Sequence, residues 1–127
     1  MRHSQTIRDG ADIAEVVGVA RQMALDHGLG AFGATRFATA LSELARNAIV
    51  HGGGGTVVIE ALDDPRRLRL IVSDRGPGID DLELALRDGY STTGGMGLGL
   101  GGAQRLLHAL TIQGREGGGL IVEGEAR

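Results

Sequence analysis

Apolar positions recur at helical spacing along three stretches of this chain and at strand spacing along five others. Ile13, Val16, Val17, Ala20 and Ala24 predict a helix that starts from an N-cap at Asp9 and runs to about His27. The glycines of Gly28-Leu29-Gly30 end it. A second helix is predicted over residues 35–50, stopped by the glycines at 52–55. A third spans about 99–109, with Leu100, Ala103, Leu107 and Leu110 on one face. Residues 80–87 read as a short helix and 89–95 as open loop. Strands are predicted at 3–8, 56–62, 68–73, 110–113 and 120–125. Asp63-Asp64-Pro65-Arg66 is the turn of a hairpin between the second and third of them. Helices and strands come in blocks rather than in βαβ alternation. That order predicts an α+β fold, a two-layer α/β sandwich with about three helices on one face of a mostly antiparallel sheet.

Length and composition narrow the classes. The 127 residues make one domain, 1–127, in a range where an ordinary core forms without staples. The 42% hydrophobic and 23% charged residues fit a globular chain in water. No apolar run reaches the ~18 residues of a membrane span, and the opening residues lack a signal-type apolar segment. No membrane association is therefore expected. The absence of cysteine excludes disulfides and thiol chemistry. All 13 basic residues are arginine. Without lysine there is no Walker A loop, no eukaryotic-type kinase site and no Schiff base. A net charge of −3 with one Tyr and two Phe gives no sign of a nucleic-acid binder. Glycine is abundant, 23 residues, and concentrates at the junctions between apolar segments. There it acts as punctuation or lets backbone lie close to a ligand.

Three segments can carry chemistry. On the second helix, with Leu41 at 0° and about 100° per residue, Phe37, Leu44, Ala45 and Ala48 fall between about −60° and +40°, the core stripe. Glu43 and Asn47 fall near 200° and 240°, side by side and away from that stripe. Taken alone the pair fits a solvated face; it also offers a base and a neutral oxygen ligand for a hard cation such as Mg2+. Asp74, at the end of an apolar strand and followed by Gly76 and Gly78, reads as a capped turn or as a carboxylate that accepts from an exocyclic amine. Thr93-Gly94-Gly95-Met96-Gly97-Leu98-Gly99-Leu100 leads into a helix, where free amides can converge on an anion. The Gly28-to-Gly33 segment follows a helix and reads as a loop. His3, His27, His51 and His108 show no metal-ligand spacing.

In order and spacing, Glu43-x-x-x-Asn47, Asp74-x-Gly76-x-Gly78 and Gly95-x-Gly97-x-Gly99 resemble the three nucleotide-binding boxes of the GHKL ATPase superfamily, which has the Bergerat fold. Residues 42–47 and 88–100 resemble the RsbT-type serine/threonine switch kinases of the stressosome; residues 47–52 are similar to the anti-sigma branch. The resemblance implies a cytoplasmic Mg-ATP-dependent kinase acting on a STAS-domain protein in a partner-switching pathway. Further partners it implies are a PP2C-type phosphatase or a sigma factor, and it allows a homodimer. It implies Glu43 as the catalytic base, Asn47 as the Mg2+ ligand and Asp74 as the acceptor of the adenine amine. Gly76, Gly78 and Ile79 line the base. Thr93, Gly94, Gly95, Met96, Gly97, Leu98, Gly99 and Leu100 complete the nucleotide contacts, and residues 80–93 form a short ATP lid. Two positions depart from the family. Leu120 stands where a threonine is frequent, and Thr92 and Thr93 stand where some anti-sigma kinases carry an arginine. A nucleotide-dependent anti-sigma factor and a binding-only homologue remain the alternatives.

Overall fold

The computed structural model describes residues 1–76, 98–115 and 117–127, with backbone alone for 98–100. The chain order is β1 (Arg2–Ile7), α1 (Gly10–Asp26), α2 (Gly30–Gly52), β2 (Gly55–Leu62), β3 (Arg67–Asp74), α3 (Leu98–Leu106), β4 (Ala109–Gly114) and β5 (Leu120–Ala126). The strands form one antiparallel sheet ordered β1-β2-β3-β5-β4. Among the described residues the helices form one layer, with α2 packed between α1 and α3.

Asp9 caps α1 as predicted, its carboxylate accepting from the Asp12 amide at 3.0 Å. Asp12 reciprocates by accepting from the Arg8 amide at 2.8 Å. Helix α2 begins five residues before the expected start. The turn is confined to His27, Gly28 and Leu29, and Gly30 and Gly33 lie inside the helix. Buried Ala34 extends the stripe of Phe37 and Leu41 back by a turn. That packing outweighs the cost of about 1 kcal/mol per helical glycine. Helix α3 ends three residues before the expected 109. The His108 amide donates to Glu125 O at 2.9 Å, which starts the β4–β5 ladder and takes those residues out of the helix.

Alternation sorts the sheet into two faces. Val57, Ile59, Leu68, Leu70, Val72, Val122 and Ala126 are buried under the helices, with Phe37, Leu41 and Leu44 of α2 above them. The core stripe predicted for α2, Phe37, Leu41, Leu44, Ala45 and Ala48, is buried throughout. The other face carries a ladder of charge. Arg69 pairs with Glu60 at 2.5 Å and with Glu123 at 3.4 Å, and Arg67 pairs with Glu125 at 3.3 Å. The Glu60 hydrogen bonds push the Arg69 guanidinium above its usual value. β5 inserts between β3 and β4 because its buried alternation continues the apolar face, whereas β4 is an exposed edge. Gly124 leaves the space that Leu107 fills; a Cβ there would lie 2.6 Å from Leu107 Cδ1.

Candidate functional site

The site is built along α2. Glu43 and Asn47 lie one turn apart, both half-buried and both off the core stripe, as the wheel predicts. Arg46 reaches Glu43 at 3.4 Å, an i,i+3 pair that leaves the carboxylate open to solvent. Among the described residues nothing hydrogen-bonds the Asn47 carboxamide, so its oxygen is available to a cation. No cluster of three or more His, Asp or Glu side chains suited to a metal occurs among the described residues. A Mg2+ ion held here would take Asn47 as its protein ligand and complete its shell with water and phosphate oxygens.

At its C-terminal end α2 meets Asp74, the last residue of β3. The contact is closer than any side chain at position 52 allows. A Cβ on Gly52 would lie 2.5 Å from Asp74 Cγ and 2.7 Å from its Oδ1. Asp74 Oδ1 accepts from the Gly76 amide at 2.9 Å, which bends the chain back over the carboxylate. Gly76 in turn abuts the helix end; a Cβ there would lie 2.5 Å from Gly52 Cα and 2.6 Å from His51 O. From the other side comes the β4–β5 hairpin. Gly119, at φ +96, presses on the Asp74 carbonyl and on Arg75 Cα. Arg115 Nη1 donates to Asp74 O at 3.1 Å. Asp74 and Gly76 are therefore held between a helix terminus and a hairpin turn. Asp74 Oδ2 is left as an acceptor without a hydrogen bond among the described residues.

Glu43, Asn47 and Gly52 follow one another along one helix, so about 14 Å of axis separates Glu43 from the Asp74 end. The structure thus puts the Glu43 carboxylate, the Asn47 carboxamide and the fixed Asp74 carboxylate in that order from the middle of α2 to its end. Gly78, Ile79, Thr93, Gly94, Gly95, Met96 and Gly97, and with them the expected lid, short helix and loop, lie outside the described residues. Leu98, Gly99 and Leu100 form the first described turn of α3. Three residues of the site were missed by spacing. Gly52 reads in sequence as a helix stop, and Arg115 and Gly119 read as a hairpin turn. The one signal they carry is the placing of glycine at junctions.

Comparison with known proteins gives the geometry a context. Bacillus subtilis serine/threonine-protein kinase RsbT is 37% identical over 114 residues, which cover 88% of this chain and 86% of RsbT. The anti-sigma F factor of Clostridium kluyveri is 42% identical over 57 residues, 42% of this chain and 40% of that protein. Among solved structures, the SiaB–SiaC complex from Pseudomonas aeruginosa matches with a TM-score of 0.63 and 16% identity, over 98% of this chain and 88% of that one. That likeness shows the fold, helices on one face of an open antiparallel sheet. Matched over residues 33–124, the chain belongs to the histidine kinase-, DNA gyrase B-, and HSP90-like ATPase family.

Proposed function

We propose that this chain is a Mg-ATP-dependent serine/threonine protein kinase whose substrate is a STAS-domain protein, acting in a cytoplasmic partner-switching pathway. The carrying observation is the single helix that holds Glu43 and Asn47 and ends against the fixed carboxylate of Asp74. The 37% identity to serine/threonine-protein kinase RsbT along most of both chains supports the same reading.

Each residue has a distinct task. Asp74 Oδ2 accepts from an exocyclic amine and so selects adenine over a base that presents a carbonyl there. The contacts of Gly52, Gly119 and Arg115 keep that oxygen in place before the nucleotide arrives. The Asn47 oxygen ligates the cation. Glu43, four residues back, takes the proton of the acceptor hydroxyl, with Arg46 beside its carboxylate. Gly76 and Gly78, with Ile79, line the base, and residues 93–100 offer amides to the phosphates. Bound Mg-ATP supplies the phosphoryl group and the charge neutralisation that such transfer requires. A PP2C-type phosphatase that resets the phosphorylated partner belongs to the same scheme.

The second reading, an anti-sigma factor that sequesters a sigma factor, draws on the 42% identity to the anti-sigma F factor over 57 residues. Labelled ATP incubated with the purified chain and a STAS-domain protein tests the first reading. Transfer to a serine or threonine is the expected result. Nucleotide binding without transfer, combined with co-purification of a sigma factor, selects the second.

A further inference from the structure

A cleft of about 430 Å³ opens at the end of the sheet, where β1 and β3 finish and β2 begins after the loop that follows α2. Its lining is ordered by strand register. Thr6 pairs with Thr56 and Thr56 pairs with Ser73, so three hydroxyl residues form one row across three strands. Core-facing Ile7, Val57 and Val72 neighbour them in sequence, so alternation puts the row on the face away from the helices. Two residues beyond the outer members of the row come arginines, Arg8 after Thr6 and Arg75 after Ser73, and both line the cleft. Two strand spacings, about 10 Å, separate their strands. Between them the chain passes through Gly53 and Gly54, at φ 73 and 119, so no side chain fills the floor. Gly54 lies against Ile7 O, where a Cβ would come within 2.8 Å. Arg115 closes the third side, with one nitrogen spent on Asp74 O and its other donors unspent among the described residues.

The charge balance is local. The chain carries −3 overall, yet this lining holds three arginines and, among the described residues, one carboxylate. That carboxylate, Asp74, is turned toward Gly52 and Gly76. No described acidic side chain lies within ion-pair distance of Arg8, Arg75 or Arg115. Elsewhere on the same sheet arginine is matched, Arg67 and Arg69 each pairing with glutamate. Arginines on opposite walls, with hydroxyl residues behind and a glycine floor, bring together the donor types that a tetrahedral oxyanion requires.

We propose that this cleft binds a phosphoryl group beside the Glu43–Asn47–Asp74 line, with which it shares Gly52, Asp74 and Arg115, and independently of whether that line binds ATP. The group is borne by free phosphate or by a phosphorylated serine or threonine side chain.

Amide NMR spectra of the whole chain tests this, with inorganic phosphate in one titration and a phosphoserine peptide, beside its unphosphorylated twin, in another. Saturable shifts of the Thr6, Gly54, Thr56 and Ser73 amides are expected. Tighter binding of the phosphopeptide than of phosphate assigns the group to a protein; equal or weaker binding assigns it to the free ion. Arg8→Gln and Arg75→Gln should each weaken binding about tenfold or more, the usual loss for a hydrogen bond to a charged partner. A melting curve of each variant gives a separate readout. Arginine at this end of α2 also suits the helix dipole, and that role alone would lower Tm without any response to phosphate. No saturable shift in the wild-type chain, or unchanged affinity in both folded variants, overturns the proposal.

Discussion

Replacing Gly52 by alanine tests the contact on which the candidate site depends. The substituted methyl would lie 2.5, 2.6 and 2.7 Å from Asp74 Cγ, Cβ and Oδ1. Carbon atoms pack best at about 3.5–4.0 Å, so Asp74 must retreat by about 1 Å. Two effects oppose each other in stability. Alanine gains up to ~1 kcal/mol of helix propensity, less at a terminus. Overpacking costs about 1–3 kcal/mol. Asp74 cannot yield freely, because Gly76 N holds its carboxylate and Arg115 its carbonyl. The overpacking cost should therefore win, leaving the variant about 1–2 kcal/mol less stable. At roughly 3–6 °C per kcal/mol for a chain of this length, Tm falls by several degrees. The larger effect is on binding. Losing one hydrogen bond to a charged acceptor costs about 1.5–3 kcal/mol, a drop of roughly ten- to a hundredfold in affinity for ATP. Gly53→Ala is the control. Gly53 sits at φ 73 with nothing within 4 Å, so alanine there meets backbone strain and no neighbour. It should cost about 1–2 kcal/mol and leave ATP affinity alone. Calorimetric titration with ATP and thermal melts of both variants give the answer. A Gly52→Ala protein with wild-type Tm and wild-type ATP affinity would refute the contact and the site built on it.

Four further outcomes are expected. Glu43→Ala should keep nucleotide binding and stability but lose about 10²–10⁴-fold in phosphate transfer, measured with labelled ATP and a STAS-domain protein; a folded variant with full transfer removes Glu43 as the base. Asp74→Asn should weaken ATP and narrow the preference for ATP over GTP; equal affinities for the two nucleotides in the wild-type chain would show that Asp74 does not read adenine. Phe37→Ala, which empties the largest fully buried side chain among the described residues, should cost about 3–5 kcal/mol in denaturant unfolding, and a loss under ~1 kcal/mol would contradict its burial. Arg69→Gln should lower stability by about 1 kcal/mol at low salt and by less at high salt, since its side chain is 34% exposed; a loss unchanged by salt would argue that packing, not charge, holds it.

Much of this protein is local in origin, and what is local can be read from the chain. The stripe of Phe37, Leu41, Leu44, Ala45 and Ala48 follows from the 3.6-residue helical period, and with it the outward placing of Glu43 and Asn47. Asp9 caps α1 through its own side chain, and Asp63 to Arg66 turn the β2–β3 hairpin because those residue types favour a turn. The motif order Glu43–Asn47, Asp74–Gly76 and Gly99 likewise needs nothing beyond the sequence. Tertiary structure decided the rest. Helix α2 starts at Gly30, against the propensity of two glycines, because Ala34 finds a buried place that no local rule foretells. β5 rather than β4 joins β3, since only its alternating face continues the apolar layer beneath the helices. Arg115 reaches Asp74 across 41 residues of chain. Gly52, Gly76 and Gly119 share a need for bare backbone that only the folded contact imposes. Spacing records which residues share a face of one element. It holds no record of which elements meet, because that is settled by the burial of several faces at once.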